Sequence, residues 1–324
     1  MASLPILMDP VGRRIRKLRI SLVDACDFRC TYCMPDDPKF LKKRDLMSRE
    51  EIIRLATLFV GEGIEEIRLT GGEPTLRADF MDIVKELSAI EGLKRLGVTS
   101  NGFKLRHHLE ELRETRCDSL NISLDSLQDQ RFFDITRKDV GQEIRQCIID
   151  ARKMGFEVKV NAVLQRGLND DEIEDFAVFS AEHDVEVRFL EMMKIGVAIG
   201  QCEKLFISAE ETLQRLSAWE QVKEVRPKDS TSFNYRLLPP DGSEAKNPAR
   251  MGFIASETQA FCGNCSRLRL SPLGVLRPCL MVNEGHSLRN KSKEDVVAAL
   301  HAVLPMKPTH RLMQVEQAMV QIGG

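Results

Sequence analysis

Between Leu18 and Met193 the sequence gives strand signals six times, with helix-period stretches between them. The strand-like stretches are LRISLVD (18–24), EIRLTGG (66–72), RLGVTSNG (95–102), SLNISLDS (119–126), EVKVNAVLQ (157–165) and EVRFLEMM (186–193). Helices are expected over 48–62, 78–90, 104–116, in segments running to Met154, and over 169–183. Ser48 opens the first with an S-x-x-E pattern ending at Glu51, the signature of a capping box. Strands alternating with helices give a parallel sheet, because the helix returns the chain to the end where the next strand starts. The fold class is therefore α/β, either a barrel or a doubly wound sheet.

The strand ends separate these two architectures. A doubly wound sheet concentrates its ligand groups at one switch point, whereas a barrel builds its site from loops after many strands. Here polar groups follow strand after strand: a cysteine loop, GGEP (71–74), TSNG (99–102), SLDS (123–126) and Glu191–Met193. Arg19, Arg68, Lys159 and Arg188 also sit inside strands at alternate positions. A period of two puts each on the face opposite its apolar neighbours. Leu18, Ile20 and Leu22 are expected to face helices while Arg19 faces inward. A lumen lined with cations suits a polyanion. The bland alternative is that these are strand-end charges.

The formal net charge of the 324-residue chain is −2, so no overall field draws it to nucleic acid or an anionic membrane. No apolar run approaches the length of a membrane span, and the apolar stretch at the N-terminus is too short for a signal peptide. A reducing, cytoplasmic setting is expected. Of the nine cysteines, six fall in two tight groups. That arrangement argues for metal ligation rather than disulfides. Cys117, Cys147 and Cys202 read as packing residues.

The first group is CDFRCTYC, a C-x3-C-x2-C spacing through Cys26, Cys30 and Cys33. A structural zinc takes four protein ligands, and residues 20–47 hold no fourth cysteine and no histidine. Three thiolates can instead hold three irons of a [4Fe–4S] cluster and leave the fourth iron open. With Tyr32 before the last cysteine and GGEP after the next strand, the chain resembles the radical SAM superfamily. That resemblance implies an open iron that chelates S-adenosylmethionine and a 5′-deoxyadenosyl radical formed on reductive cleavage. An unactivated C–H bond is not acidic, so the cofactor must supply radical chemistry while the protein positions and shields it. By the same resemblance Tyr32, Gly72, Glu73, Ser123 and Met193 contact S-adenosylmethionine.

The second group, FCGNCSRLRLSPLGVLRPCL, places Cys262, Cys265 and Cys279 in a C-x2-C-x13-C spacing. Taken alone it leaves a zinc site open, with His286 as a fourth ligand. After a radical SAM barrel, a second iron–sulfur cluster is favoured. Taken together, IRLTGGEPTLR, SLNISLDSL, KVNAV, VRFLEMM, the second cysteine group with Arg267 and Arg269, and the terminal Gly pair are similar to one family. It is the molybdenum-cofactor biosynthesis protein A family, the GTP 3′,8-cyclases.

This resemblance implies an incomplete (β/α)6 barrel over residues 12–235 with a C-terminal iron–sulfur region, 236–324, closing it. It implies two [4Fe–4S] clusters, S-adenosylmethionine, and conversion of GTP to 3′,8-cyclo-7,8-dihydro-GTP, a lyase reaction that opens molybdenum-cofactor synthesis. The GTP contacts implied are Arg19, Arg68, Thr99, Lys159, Arg188, Arg267 and Arg269. Gly323 and Gly324 match a tail that reaches into the family's active site. Partners implied are a flavodoxin- or ferredoxin-type electron donor and a cyclic pyranopterin monophosphate synthase, with the chain a monomer or homodimer. No P-loop is present to cradle a triphosphate, so side chains must do so. Three positions depart from the family pattern: Glu66 for a common Lys, Lys194 after LEMM, and Ser266 for Asn. Two other readings stand beside this one. One is a radical SAM peptide or protein maturase; the other is a metal-binding regulatory module without catalysis.

Overall fold

The computed structural model describes residues 5–239 and 247–322. Six parallel strands pair in chain order: β1 (Lys17–Ser21), β2 (Glu66–Thr70), β3 (Arg95–Ser100), β4 (Cys117–Ser123), β5 (Glu157–Val163) and β6 (Glu186–Leu190). The crossovers carry α1 (Arg49–Gly61), α2 (Phe80–Ser88), α3 (Leu109–Arg113), α4 (Asp129–Thr136), α5 (Gly141–Lys153) and α6 (Ile173–His183). Later segments extend both edges. On one side β9 (Ala249–Ile254) joins β6 in parallel and continues through β8 (Phe233–Leu238) to β7 (Glu220–Lys223). On the other, β10 (Arg267–Leu270) joins β1 in parallel and leads to β11 (Val275–Arg277) and β12 (His286–Ser287). The 12-stranded order runs β12-β11-β10-β1-β2-β3-β4-β5-β6-β9-β8-β7 and has two ends, so the barrel is not closed.

The expected alternation is what splits the sheet's two faces. Leu18, Ile20 and Leu22 are buried beneath the helices, while Arg19 lines the interior. α1 forms because Ser48 caps it, its hydroxyl accepting from the Glu51 N–H at 3.2 Å. Its buried residues Ile52, Leu55, Ala56, Phe59 and Val60 follow the three-and-four spacing of one helical face. Burying Phe59 contributes about 2–3 kcal/mol.

Two helices differ from the sequence expectation. α6 starts at Ile173 rather than 169, because the Asn169 amide is engaged elsewhere. It donates to the carbonyls of Asp125 (2.6 Å) and Val163 (3.0 Å), tying the ends of β4 and β5 together. The 104–116 stretch is a 3-10 turn, Leu105–His108, followed by the short α3. Thr115 closes it by donating to the Leu112 carbonyl at 2.7 Å and accepting from the Cys117 N–H.

Candidate active site

The first cysteine loop leaves β1 and docks on two neighbours. Arg29 and Thr31 donate backbone N–H groups to the carbonyls of Thr136 and Ile135 at the end of α4. On its other side, Gly72 and Glu73 donate to the carbonyls of Val23 (2.7 Å) and Ala25 (2.8 Å). The glycines of GGEP owe their place to this contact. A Cβ on Gly72 would stand 2.3 Å from the Ala25 carbonyl oxygen, and one on Gly71 would stand 2.5 Å from that of Val23. Glu73 is fully buried and does not line the cavity. Its carboxylate accepts from the Thr75 N–H and hydroxyl, the Ser100 hydroxyl (2.8 Å) and the Asn101 N–H (2.7 Å). It locks the GGEP turn to the end of β3.

Cys26, Cys30 and Cys33 open onto a cavity of about 330 Å³. Tyr32, Gly72, Ser123 and Met193 line it with them. The Tyr32 hydroxyl donates to Asp125 Oδ2 at 2.7 Å, and Oδ1 accepts from the Val163 N–H at 2.8 Å. Burial raises the Asp125 carboxyl to about 6 despite these two bonds. Burial also pushes Cys26 and Cys33 up to about 12 and Cys30 well above its ordinary value, with Asp125 adding to the shift at Cys30 and Cys33.

The cations lie deeper, in one row across adjacent strands. Register pairs Arg269 of β10 with Arg19 of β1, and Arg19 with Arg68 of β2. Gly97 of β3 comes next and leaves room, since a Cβ there would lie 2.9 Å from the Arg68 guanidinium. Arg68 reaches across it to the Ser119 hydroxyl of β4 at 2.9 Å. Three like charges on neighbouring strands repel one another. Burial first, then the neighbouring arginines, bring Arg68 and Arg269 down to about 10 and Arg19 well below its ordinary value. Further round, Lys159 pairs with Glu157 at 2.5 Å and Arg188 with Glu186 at 2.5 Å. Arg68 and Lys159 line a second cavity of about 430 Å³, which shares Arg19, Arg188, Arg267, Asn121 and Thr231 with the first. The two are ends of one lumen.

Cys262, Cys265 and Cys279 also line the first cavity, beside Arg267, Arg269 and Lys307. His286 does not line it; it lies in β12, opposite Leu276. Among the described residues no three His, Cys, Asp or Glu side chains converge on a single-ion site. Burial raises Cys262, whereas at Cys265 the same effect is overcome by Arg267 and then Lys307, which bring the thiol down to about 6. Gly323 and Gly324 lie outside the described residues.

Residues 20–179 match the Radical SAM superfamily model and residues 185–312 match Molybdenum Cofactor Synthesis C. The chain is 42% identical over 319 residues to the GTP 3′,8-cyclase of Synechocystis sp., covering 98% of this chain and 95% of that protein. It is 36% identical over 324 residues to GTP 3′,8-cyclase 2 of Pseudomonas aeruginosa, covering 97% and 96%. The chain belongs to the GTP 3′,8-cyclase family. Among solved structures, Streptococcus suis SuiB bound to S-adenosylmethionine superposes with a TM-score of 0.61 at 15% identity, over 90% of this chain and 68% of that one. The same protein bound to precursor peptide SuiA gives 0.65 at 14%, over 93% and 67%. At such identity the likeness shows the radical SAM fold alone. No described helix is long and apolar enough to cross a membrane.

Within this GTP 3′,8-cyclase family member the three departures have structural outcomes. Glu66 pairs with Arg16 at 2.9 Å and with Lys17 at 3.6 Å, so its charge is met at the lumen's mouth. Ser266 is buried and donates to Asp229 at 3.0 Å; Asp229 in turn pairs with Arg16 at 2.7 Å and Lys17 at 3.1 Å. Lys194 is exposed, and its backbone carbonyl accepts from the Val315 N–H.

Several lumen residues escaped the sequence reading. Thr70, Asn121 and Asn161 each hold a buried side-chain oxygen without a partner among the described residues, as does the expected Thr99. All four line the first cavity. Such orphaned groups are rare in a finished core and mark a surface built for a ligand. Asn121 and Asn161 share the two-residue period of Ser119 and Lys159, a signal that would have found them. Asp125 could be noticed in SLDS, but its bond to Tyr32 spans 93 positions and has no sequence signature.

Proposed function

We propose that this protein is a radical SAM lyase that converts GTP to 3′,8-cyclo-7,8-dihydro-GTP, the first step of molybdenum-cofactor synthesis. The observation carrying this reading is the single lumen that holds both cysteine triplets and the arginine row. The donor sets fit the groups they would bind. Cys26, Cys30 and Cys33 would hold one [4Fe–4S] cluster, and Cys262, Cys265 and Cys279 a second. When bound, the first cluster and S-adenosylmethionine supply the one-electron chemistry that removes hydrogen from an unactivated sugar carbon.

The protein's own part is positioning, charge and exclusion of water. Tyr32, Ser123, Asn161 and Met193 surround the S-adenosylmethionine position, with Asp125 fixing Tyr32 and Glu73 fixing the GGEP turn from behind. Arg19, Arg68, Thr99, Lys159, Arg188, Arg267 and Arg269 receive GTP. Its negative charges relieve the repulsion stored in the arginine row, and the phosphates replace Glu157 and Glu186 as partners of Lys159 and Arg188. Gly323 and Gly324, which lie outside the described residues, are assigned a catalytic role by the family resemblance alone. Residues 12–235 form the barrel unit and 236–324 the auxiliary-cluster unit. An electron donor of flavodoxin or ferredoxin type and a cyclic pyranopterin monophosphate synthase stand on either side of the reaction, in the cytoplasm, and the chain acts as a monomer or homodimer.

The test is anaerobic reconstitution with iron and sulfide, followed by S-adenosylmethionine, GTP and a reductant in one vessel. Expected is 5′-deoxyadenosine together with a cyclised guanosine triphosphate seen by mass spectrometry. Cofactor cleavage that leaves GTP unchanged under every condition would sink the proposal and return the peptide-maturase alternative to the front.

A further inference from the structure

Lys307 lies beyond the helix Lys293–Val303 and is only 5% exposed. Its ammonium donates to the carbonyls of Arg267 at 2.6 Å and Pro278 at 2.9 Å. Arg267 stands two residues after Cys265, and Pro278 directly precedes Cys279. One side chain therefore fixes the backbone beside two of the three cysteines in the second group.

The third is fixed from the opposite end of the chain. Arg13 is 6% exposed and donates to the Cys262 carbonyl at 2.8 Å. It also donates to the carbonyls of Lys307 at 2.8 Å and Pro308 at 2.6 Å. Asp9 orients it, one oxygen accepting from its Nε at 2.5 Å and the other from its backbone N–H at 2.8 Å. A hook near the N-terminus, the cysteine loop and the 307–308 segment thus form one hydrogen-bonded unit.

The charges are unequal. Asp9 neutralises Arg13. Lys307 is different: among the described residues no carboxylate pairs with it, and it faces Cys265 and Cys279, with Arg267 adding a like charge. A buried ammonium without a counter-charge is costly, so its position calls for an anion. Three cluster-bound thiolates supply one.

We propose that Lys307 and Arg13 are positioning residues that clasp the second cluster, Lys307 through the backbone at Cys265 and Cys279 and Arg13 through Cys262. The proposal rests on the reading of Cys262, Cys265 and Cys279 as cluster ligands. Both act through the loop that carries the cysteines.

The test uses the full chain with Cys26, Cys30 and Cys33 all changed to Ser, so that only the second cluster contributes. Iron retained during a chelator challenge is followed in this parent, with Lys307→Met and with Arg13→Gln. Expected is roughly tenfold or faster loss of iron in Lys307→Met, in the range seen when partners of metal ligands are removed, and a smaller acceleration in Arg13→Gln. The reduction potential of the second cluster should also move negative in Lys307→Met, because a cation beside the cluster is lost; Lys307→Arg should restore it. Folding is checked by S-adenosylmethionine cleavage in Lys307→Met with the first triplet intact, which should persist. Unchanged iron retention and potential in a parent that holds iron overturn the clasp alone. A parent that binds no iron overturns the cluster reading, and the clasp with it.

Discussion

The two cysteine triplets open onto the same cavity but live in opposite electrostatic surroundings. The first is held by backbone bonds to α4 and the GGEP turn, with Asp125 and Glu73 behind it. Its thiols are pushed far up. The second is held by Arg13 and Lys307, cations from distant parts of the chain, and Cys265 is brought down to about 6. The contrast fits two different ligands. An acidic, cation-poor end suits the sulfonium of S-adenosylmethionine, and a cationic end suits a triphosphate. One lumen can therefore place a cationic cofactor and an anionic substrate at set positions without either entering the other's place.

The largest effects should come from the cysteines proposed as cluster ligands. Cys30→Ala is expected to take 5′-deoxyadenosine formation to background, and the GTP product with it. Cys265→Ala should keep measurable cofactor cleavage while the cyclised product disappears. Equal loss of both activities in both variants, with folded protein, would erase the distinction between the two ends.

The arginine row sharpens the contrast at the next level. Arg68→Leu removes a part-buried charged donor that lines the lumen, so GTP affinity should fall by about ten- to a hundredfold in a binding assay, with uncoupled S-adenosylmethionine cleavage unchanged. The same change relieves repulsion from Arg19, so the melting temperature of the GTP-free protein should rise by about 2 °C. A fall in both quantities would show that the row is merely structural.

At the other end, Asp125→Asn should raise the KM for S-adenosylmethionine roughly tenfold through loss of the charged partner of Tyr32, with GTP affinity untouched. Tyr32→Phe should do the same, and the double variant should cost little more than either alone. Additive losses would separate the two residues.

The smallest effect concerns Glu157. Burial alone would raise its carboxyl, but Lys159 and then Arg95 hold it at about 2. A carboxyl depressed in the folded state stabilises the protein above its unfolded value near 4.3 and loses that contribution as pH falls towards the folded value. Glu157→Gln should therefore lower the melting temperature slightly at pH 7, with the gap closing between about pH 4.5 and 2. Because it frees Lys159, the same variant should bind GTP slightly tighter.

The barrel half was far more legible in the sequence than the tail. The six parallel strands fall where a two-residue period and strand-end polar groups put them, and Ser48 caps α1 as its motif implies. The cysteine spacings and the lumen cations needed only local patterns. What could not be read depends on contacts across the chain. β10 carries Arg269 into the row, and Arg267 into the lumen beside it, by pairing with β1, a partner some 250 positions away. The bond from Arg13 to Cys262 spans 249 positions. Lys307 sits in PMKPTH, a stretch with no periodicity or motif. Asn169 is ambiguous in sequence, because its side chain is equally suited to a helix cap and to bridging two strand ends.

The central claim is that the second triplet carries its own cluster and that GTP acts on it. The most direct measurement is the metal content and electron paramagnetic resonance spectrum of the variant with Cys26, Cys30 and Cys33 changed to Ser, with and without GTP. Expected are about four irons per chain and a spectrum that changes when GTP binds. Zinc in place of iron, or an iron signal that saturating GTP leaves unchanged, would contradict the claim.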